Sequence, residues 1–156
     1  MIKQIHIFDF DGTLVDSSHR YKLADCGTRI DLQHWRDNEH RAMQDTLLPL
    51  IDKYRALLAD PAHYVVVATA RVGDAITRAF MEKHDIVPQH FIARKGADDS
   101  RGGAALKITG MRRLLNLKQF QNVETIHVYE DNVNYLNDLC EAFNGIPHFF
   151  PSNQGH

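Results

Sequence analysis

The chain has little cysteine, no long apolar run and no excess of charge of one sign. Its cysteines, Cys26 and Cys140, stand far apart without the short spacing of a metal-binding pair. That excludes a disulfide-stapled scaffold and leaves a reduced pair as the expectation. Lys and Arg number 18 against 20 Asp and Glu, a net charge of −2. This is too little for a general attraction to polyanions, so any nucleic-acid contact must come from a local patch. No apolar stretch reaches membrane-spanning length, and the first residues run into a strand pattern instead of a basic leader; a cytoplasmic protein without membrane contact is the expectation. Repeats and low-complexity tracts are missing as well.

What is present is enough for one domain: 156 residues can bury a sizeable core but leave no room for a second large unit. Apolar runs predict strands at Ile2 to Phe8, Tyr64 to Ala68, Val87 to Ala93, Thr125 to Tyr129 and Pro147 to Phe150. Helical patterns cover Asn38 to Ala59, Val72 to His84, Gly103 to Leu117 and Asn132 to Asn144. Strands alternating with helices of this length read as βαβ units, so the expected fold is an α/β three-layer sandwich on a mostly parallel sheet. The polar interval from Ser17 to Asp37 breaks the rhythm. It is either a small insertion overhanging the carboxyl edge of the sheet or an ordinary solvated connection with Trp35 packed beneath it, and Ser152 to His156 are expected to fray.

Chemistry concentrates at predicted strand ends. Asp9 and Asp11 follow the first strand, with Gly12 turning the chain directly after them. That edge of an α/β sheet is where ligands bind, although Asp and Gly are also ordinary turn residues. The second strand ends in Thr69-Ala70-Arg71, where Thr69 is either a helix cap or, with the adjacent amides, a holder of one phosphoryl oxygen. Another strand ends in Glu130-Asp131, again a site or a helix cap. Lys107 lies in a helical pattern, where a lone lysine is usually solvated. Four carboxylates gathered in one cleft would repel one another, so a hard divalent cation is expected, and Mg²⁺ suits oxygen ligands together with a substrate phosphate.

The block Asp9-Phe10-Asp11-Gly12-Thr13, followed by Ala68-Thr69-Ala70-Arg71, Lys107 and Tyr129-Glu130-Asp131-Asn132, resembles the four motifs of the haloacid-dehalogenase-like (HAD) phosphohydrolases. The resemblance implies Asp9 as the nucleophile that forms an aspartyl-phosphate and Asp11 as general acid and then base. It implies Thr69 as a holder of the phosphoryl group, Lys107 as its neutralising cation, and Asp9, Asp11, Glu130 and Asp131 around Mg²⁺. Glu130-Asp131 departs from the Asp-Asp or Gly-Asp usual in the family and leaves open which of the two is the direct ligand. An acid at Asp11 argues for phosphate-ester hydrolysis over dehalogenation.

Substrate choice in such proteins depends on caps, and the stretch of roughly thirty-five residues between Thr69 and Lys107 has no space for a large one. The cleft is therefore expected to be open and to suit a bulky or polymeric phosphate ester. The run from Ala93 through Arg94 and Arg101 to Lys107 resembles the phosphatase domains of bacteriophage-type polynucleotide kinase-phosphatases. Tyr129-Glu130-Asp131-Asn132 is similar to a motif of HAD domains associated with RNA repair. No G-x-x-x-x-G-K-S/T kinase loop is present. These likenesses imply a stand-alone phosphatase for a DNA or RNA 3′ end. Gly12, Ala70, Arg71, Arg94 and Arg101 would bind substrate, and Lys95, Arg20, Lys22 and Arg29 are further candidates for flanking phosphates. The alternative is a phosphatase for a mononucleotide or another small molecule, its base resting on Tyr21 or Trp35. A non-catalytic binding protein is the third reading, and no obligate protein partner is evident.

Overall fold

The computed structural model describes residues 1–27 and 30–150. Its elements are β1 (Gln4–Phe8), β2 (Val15–Asp16), α1 (Leu32–Asp37), β3 (Thr46–Leu47), α2 (Ile51–Leu58) and β4 (His63–Val72). They continue as α3 (Ala75–Lys83), β5 (His90–Arg94), α4 (Gly103–Leu115), β6 (Thr125–Glu130), α5 (Val133–Phe143) and β7 (Ile146–Phe149), with 3-10 turns at Ser18–Arg20, Glu39–Gln44 and Lys118–Phe120. The central sheet has 5 strands in the order β5-β4-β1-β6-β7, and every neighbouring pair is parallel. β1 therefore lies in the middle, with β4 and β6 beside it, and the three predicted acidic or hydroxyl-bearing strand ends share one edge. Arg29 and Ser152 to His156 lie outside the described residues.

Alternation along the strands builds the three layers. Ile5, Ile7, Val66 and Val128 face α4 and α5 and pack with Met111, Leu114, Leu136 and Leu139. Phe8, Val65, Val67 and Tyr129 face the other way, onto Tyr54 of α2 and Phe80 and Met81 of α3. The α/β sandwich expected from the sequence is thus the observed fold. Among the described residues no helix is long and apolar enough to cross a membrane, and no disulfide joins Cys26 to Cys140.

Two local expectations fail. The helix expected over Asn38 to Ala59 is instead a 3-10 turn, the short strand β3 and then α2. Pro49 supplies no backbone N–H and disfavours helix at the residue before it. Leu48 N–H instead donates to Leu14 O at 2.8 Å, next to the antiparallel pairing of Thr46–Leu47 with Val15–Asp16. The excursion between those two strands spans residues 17–45. The second difference is β4, expected to stop at Ala68: it continues to Val72 through a register shift against β5. Thr69 is therefore a strand residue and no helix cap; Asp74 caps α3 by accepting from Thr77 N–H at 2.9 Å.

Candidate active site

The turn after β1 sets the site. Phe10 O accepts from the backbone N–H groups of Thr13, Leu14 and Val15 at 3.2, 2.9 and 3.0 Å, and Gly12 N–H donates to Val15 O at 2.8 Å. Gly12 has φ +82°, the left-handed region where a side chain is strained. This tight loop leaves Asp9 and Asp11 at the carboxyl edge, 8 % and 7 % exposed.

Asp9 lies in a group of carboxylates. Its oxygen and those of Glu130 and Asp131 lie within 4.8 Å of one another, and Lys107 Nζ donates to Asp9 Oδ1 at 2.8 Å and to Glu130 Oε2 at 2.9 Å. Lys107 reaches them because α4 approaches closely: a Cβ on Gly103 would stand 2.7 Å from the Tyr135 ring, and one on Gly110 would stand 2.8 Å from Ile92. Thr13 Oγ1 also donates to Asp9, at 3.3 Å. Asn132 is the cap of α5, accepting from Asn134 and Tyr135 N–H, so that role does not explain the acidic pair before it.

The electrostatics follow from three acids around one ammonium. Burial pushes the Asp9 carboxyl up, but the Lys107 charge and the hydrogen bonds around it outweigh this and hold it at about 2. Glu130 moves the other way, well above the usual carboxylate range, because burial and the negative Asp9 oppose its charge more than Lys107 favours it. Burial alone would depress the Lys107 ammonium, yet Asp9 and Glu130 raise it. One lysine thus cannot neutralise the group. An all-oxygen set with surplus negative charge is suited to a hard divalent cation, with Asp9, Glu130 and Asp131 as its protein donors.

Asp11 stands in a separate network. Its two oxygens accept from Arg71 Nε at 2.8 Å and Nη2 at 2.5 Å, and Arg71 Nη2 also donates to Asp45 Oδ2 at 2.7 Å. Asp45 accepts from Arg20 Nε and Nη2 at 2.9 and 3.0 Å as well. Burial disfavours the Arg71 charge, but Asp11 and Asp45 more than offset that and raise its affinity for the proton. The Arg20 guanidinium stacks over Trp35, 4.1 Å from the ring centre, so the excursion after β2 reaches the catalytic edge through these two residues.

Of the residues predicted from sequence, the fold brings Asp9, Lys107, Glu130 and Asp131 into contact and sets Asp11 and Arg71 against each other. Thr69 is buried at the same edge, its Oγ1 accepting from Arg71 N–H at 3.1 Å, and Ala70 follows it. Arg94 and Arg101 are engaged within the chain. Arg94 donates to the carbonyls of Ala70, Asp99 and Arg101, and Arg101 holds Asp99 with two bonds. Sequence reading missed Asp45, which was assigned to a helix interior; the Pro49 downstream was the signal that this stretch is no helix. It also missed the contact of Thr13 with Asp9, although Thr13 stands within the motif that was read.

The fold is that of a HAD domain. The HAD domain of effector protein Lem4 from Legionella pneumophila superposes with TM-score 0.57 at 12% identity, over 99% of this chain and 88% of that one. A chain of the Pnkp1/Rnl/Hen1 complex superposes with TM-score 0.66 at 16% identity, over 97% of this chain and 47% of that one. The chain belongs to the family described as Bacteriophage T5 5′-deoxynucleotidase, which it matches over residues 1–135. The 5′-deoxynucleotidase of Escherichia phage T5 is 27% identical over 136 residues, covering 85% of this chain and 51% of that protein. The chain thus spans about half the length of that relative.

Proposed function

We propose that this chain is a phosphatase acting on nucleoside 5′-monophosphates, with deoxynucleotides as its substrates, and that it works through an aspartyl-phosphate on Asp9. The observation that carries this reading is a buried carboxylate kept ionised beside Lys107 at the carboxyl edge of the central strand. A carboxylate is a weak nucleophile toward a phosphate dianion and needs positive charge at the reacting centre. A Mg²⁺ held by Asp9, Glu130 and Asp131 would supply that charge together with Lys107.

In the first step an Asp9 oxygen attacks phosphorus, the bond from phosphorus to the 5′ oxygen breaks, and a proton from Asp11 goes to the departing oxygen. In the second, water attacks the phosphorus, Asp11 takes the water's proton, and Asp9 and inorganic phosphate are released. Thr69 and the adjacent backbone amides orient the phosphoryl oxygens. As arranged, Asp11 has both oxygens on Arg71, the state suited to taking a proton from water. To protonate the leaving group it must give up one of those bonds.

The family match favours the mononucleotide over the polynucleotide end. So does the fate of Arg94 and Arg101, whose guanidiniums are taken up by the chain's own carbonyls and Asp99. The test is a phosphate-release panel of deoxynucleoside 5′-monophosphates, ribonucleotides, and 3′-phosphorylated DNA and RNA oligomers. Greater kcat/KM for the oligomers, with strong salt dependence, sinks the mononucleotide reading. Asp9→Asn should keep the fold and lower turnover at least about 10³-fold, on the order of 4 kcal/mol of barrier. Near-normal turnover by the folded variant, assayed before any deamidation, removes Asp9 as nucleophile.

A further inference from the structure

Asp45 is held by several partners at the edge, yet it belongs to none of the reacting groups described above. It accepts two bonds from Arg20, one from Arg71, and a contact of 2.7 Å from His19 Nε2. Its side chain is 0% exposed. A carboxylate offers about four acceptor positions, and these contacts use them, so Asp45 has nothing left with which to bind substrate or cation. Burying such a network gains little stability over an apolar filling of the same volume; what it can gain is a fixed geometry.

We propose that Asp45 is a positioning residue: it anchors Arg71, and through Arg71 it fixes where the carboxylate of Asp11 stands beside Asp9. The inference rests on the reading of Asp11 as proton donor. Guanidinium and carboxylate alternate along Arg20, Asp45, Arg71 and Asp11. The third nitrogen of Arg71, Nη1, is buried and makes no hydrogen bond among the described residues. Asp45 and Asp11 are therefore the two supports of that guanidinium's polar edge. Without Asp45, Arg71 keeps Asp11 as its ion-pair partner and is left with the flat faces of Phe10 and Trp35, 4.9 and 6.0 Å from its guanidinium carbon, which support its plane but do not fix its rotation against Asp11.

Asp45 itself is held firmly. It ends the Glu39–Gln44 turn, with its N–H on Ala42 O at 3.1 Å, and the next residues pair with Val15–Asp16 just beyond the catalytic turn. The excursion over residues 17–45 thus contributes to the reaction through the ion pairs at its two ends, Arg20 and Asp45.

Leaving-group dependence tests this, because a merely structural loss lowers all substrates alike. Through the first irreversible step, a nucleotide expels an alkoxide that needs the proton of Asp11, whereas p-nitrophenyl phosphate expels a stable phenolate that does not. Asp45→Asn should lower kcat/KM for a deoxynucleoside 5′-monophosphate by about 10 to 100-fold and for p-nitrophenyl phosphate by less than about 3-fold. Asp11→Asn should show the same split, larger. If Asp45→Asn does not fold, Arg20→Lys keeps the charge but loses the fork on Asp45 and should show the split at about 3 to 10-fold. Parallel losses on both substrates, or unchanged selectivity, overturn the inference. A split in Asp11→Asn with none in the Asp45 or Arg20 variant overturns it alone. No split in Asp11→Asn removes the proton-donor reading and this inference with it.

Discussion

The same strands carry two polar assemblies of opposite design. At their carboxyl ends stand Asp9, Asp11, Arg71, Glu130 and Asp131, a dense set of charges with Lys107 inserted among them. Behind that edge, on the face bearing Phe8 and Tyr129, His6, His63, His127 and His148 lie against one another. His6 stacks on His127 with ring centres 4.5 Å apart. His6 Nδ1 is 2.9 Å from Tyr129 Oη and its Nε2 is 2.8 Å from His63 Nδ1. His127 lies between Gln4 Oε1 at 2.9 Å and His148 Nε2 at 3.0 Å. One proton assignment satisfies every contact without charge: Tyr129 O–H donates to His6, His6 to His63, His148 to His127, and His127 to Gln4. The carboxyl edge is held by opposite charges whose removal leaves others unpaired. The histidine cluster is held by ring, hydroxyl and amide contacts that one uncharged proton assignment satisfies. The fold thus separates the place that gathers charge for chemistry from a cluster built mainly of uncharged rings.

The largest way to break this contrast is to take the cation out of the edge. Lys107→Met keeps most of the side-chain volume but leaves Asp9, Glu130 and Asp131 without their ammonium. Breaking a buried pair by removing one partner costs about 3–5 kcal/mol. The melting temperature should fall sharply near neutral pH, and added Mg²⁺ should restore more of it than it adds to the unaltered protein, by mass action on an emptier charge group. A small loss with no response to the cation would mean that the carboxylates share protons and that the edge resembles the histidine cluster after all.

How much of this contrast was legible in the sequence depends on the length scale of the cause. The strand positions and the charged edge follow from local patterns: apolar runs ending in Asp9, Thr69 and Glu130 place those residues together once the sheet is parallel. Lys107 was legible through the family motif, since nothing local separates a buried helical lysine from a solvated one. Asp45 was not legible, because its role comes from a pairing of Thr46–Leu47 with Val15–Asp16 across some thirty residues of chain. The histidines were invisible for the same reason. His6 and His127 each look like a polar interruption of a strand and His63 like a residue just ahead of one, and only the register that sets His6 opposite His127 turns them into a cluster. Arg94 and Arg101 read in the sequence as a free basic run, and only the folded loop shows Arg94 on backbone carbonyls and Arg101 on Asp99.

An intermediate effect comes from titrating the histidines. Burial first, then neighbouring His127, His63, Lys53 and His148, hold His6 at about 3. Burial leads the same downward shift in His127, with His148, Lys53 and His63 adding to it, and in His148, with Lys53 adding to it. Above the unfolded value of 6.5 both folded and unfolded chains are neutral at these positions. As pH falls below it the unfolded chain takes up protons that the folded cluster refuses, so stability declines toward the lower folded values. Each such group contributes at most about 1.4 kcal/mol per pH unit. Denaturant titrations between pH 7 and 5 should therefore show stability falling with acidity, and His6→Gln should reduce that slope. An unchanged slope in the variant would place the acid sensitivity elsewhere.

The smallest effect probes the joint between the two assemblies. Tyr129 precedes Glu130 on β6, its ring stacks on Phe8 at 4.2 Å, and its hydroxyl meets His6 at 2.9 Å; burial pushes the phenol up to about 12. Tyr129→Phe removes the hydroxyl and keeps the stack. It should cost about 1 kcal/mol, the usual net worth of one buried hydrogen bond. Turnover should stay within about twofold, because each charge at the edge is fixed by its own partners and not by the ring behind it. Chemical denaturation and steady-state kinetics on the one variant measure both quantities. A stability loss with unchanged kcat/KM keeps the assemblies independent. A tenfold drop in kcat/KM at unchanged KM would show that the neutral cluster sets the position of Glu130, and the division of the sheet into a charged edge and an uncharged cluster would no longer hold.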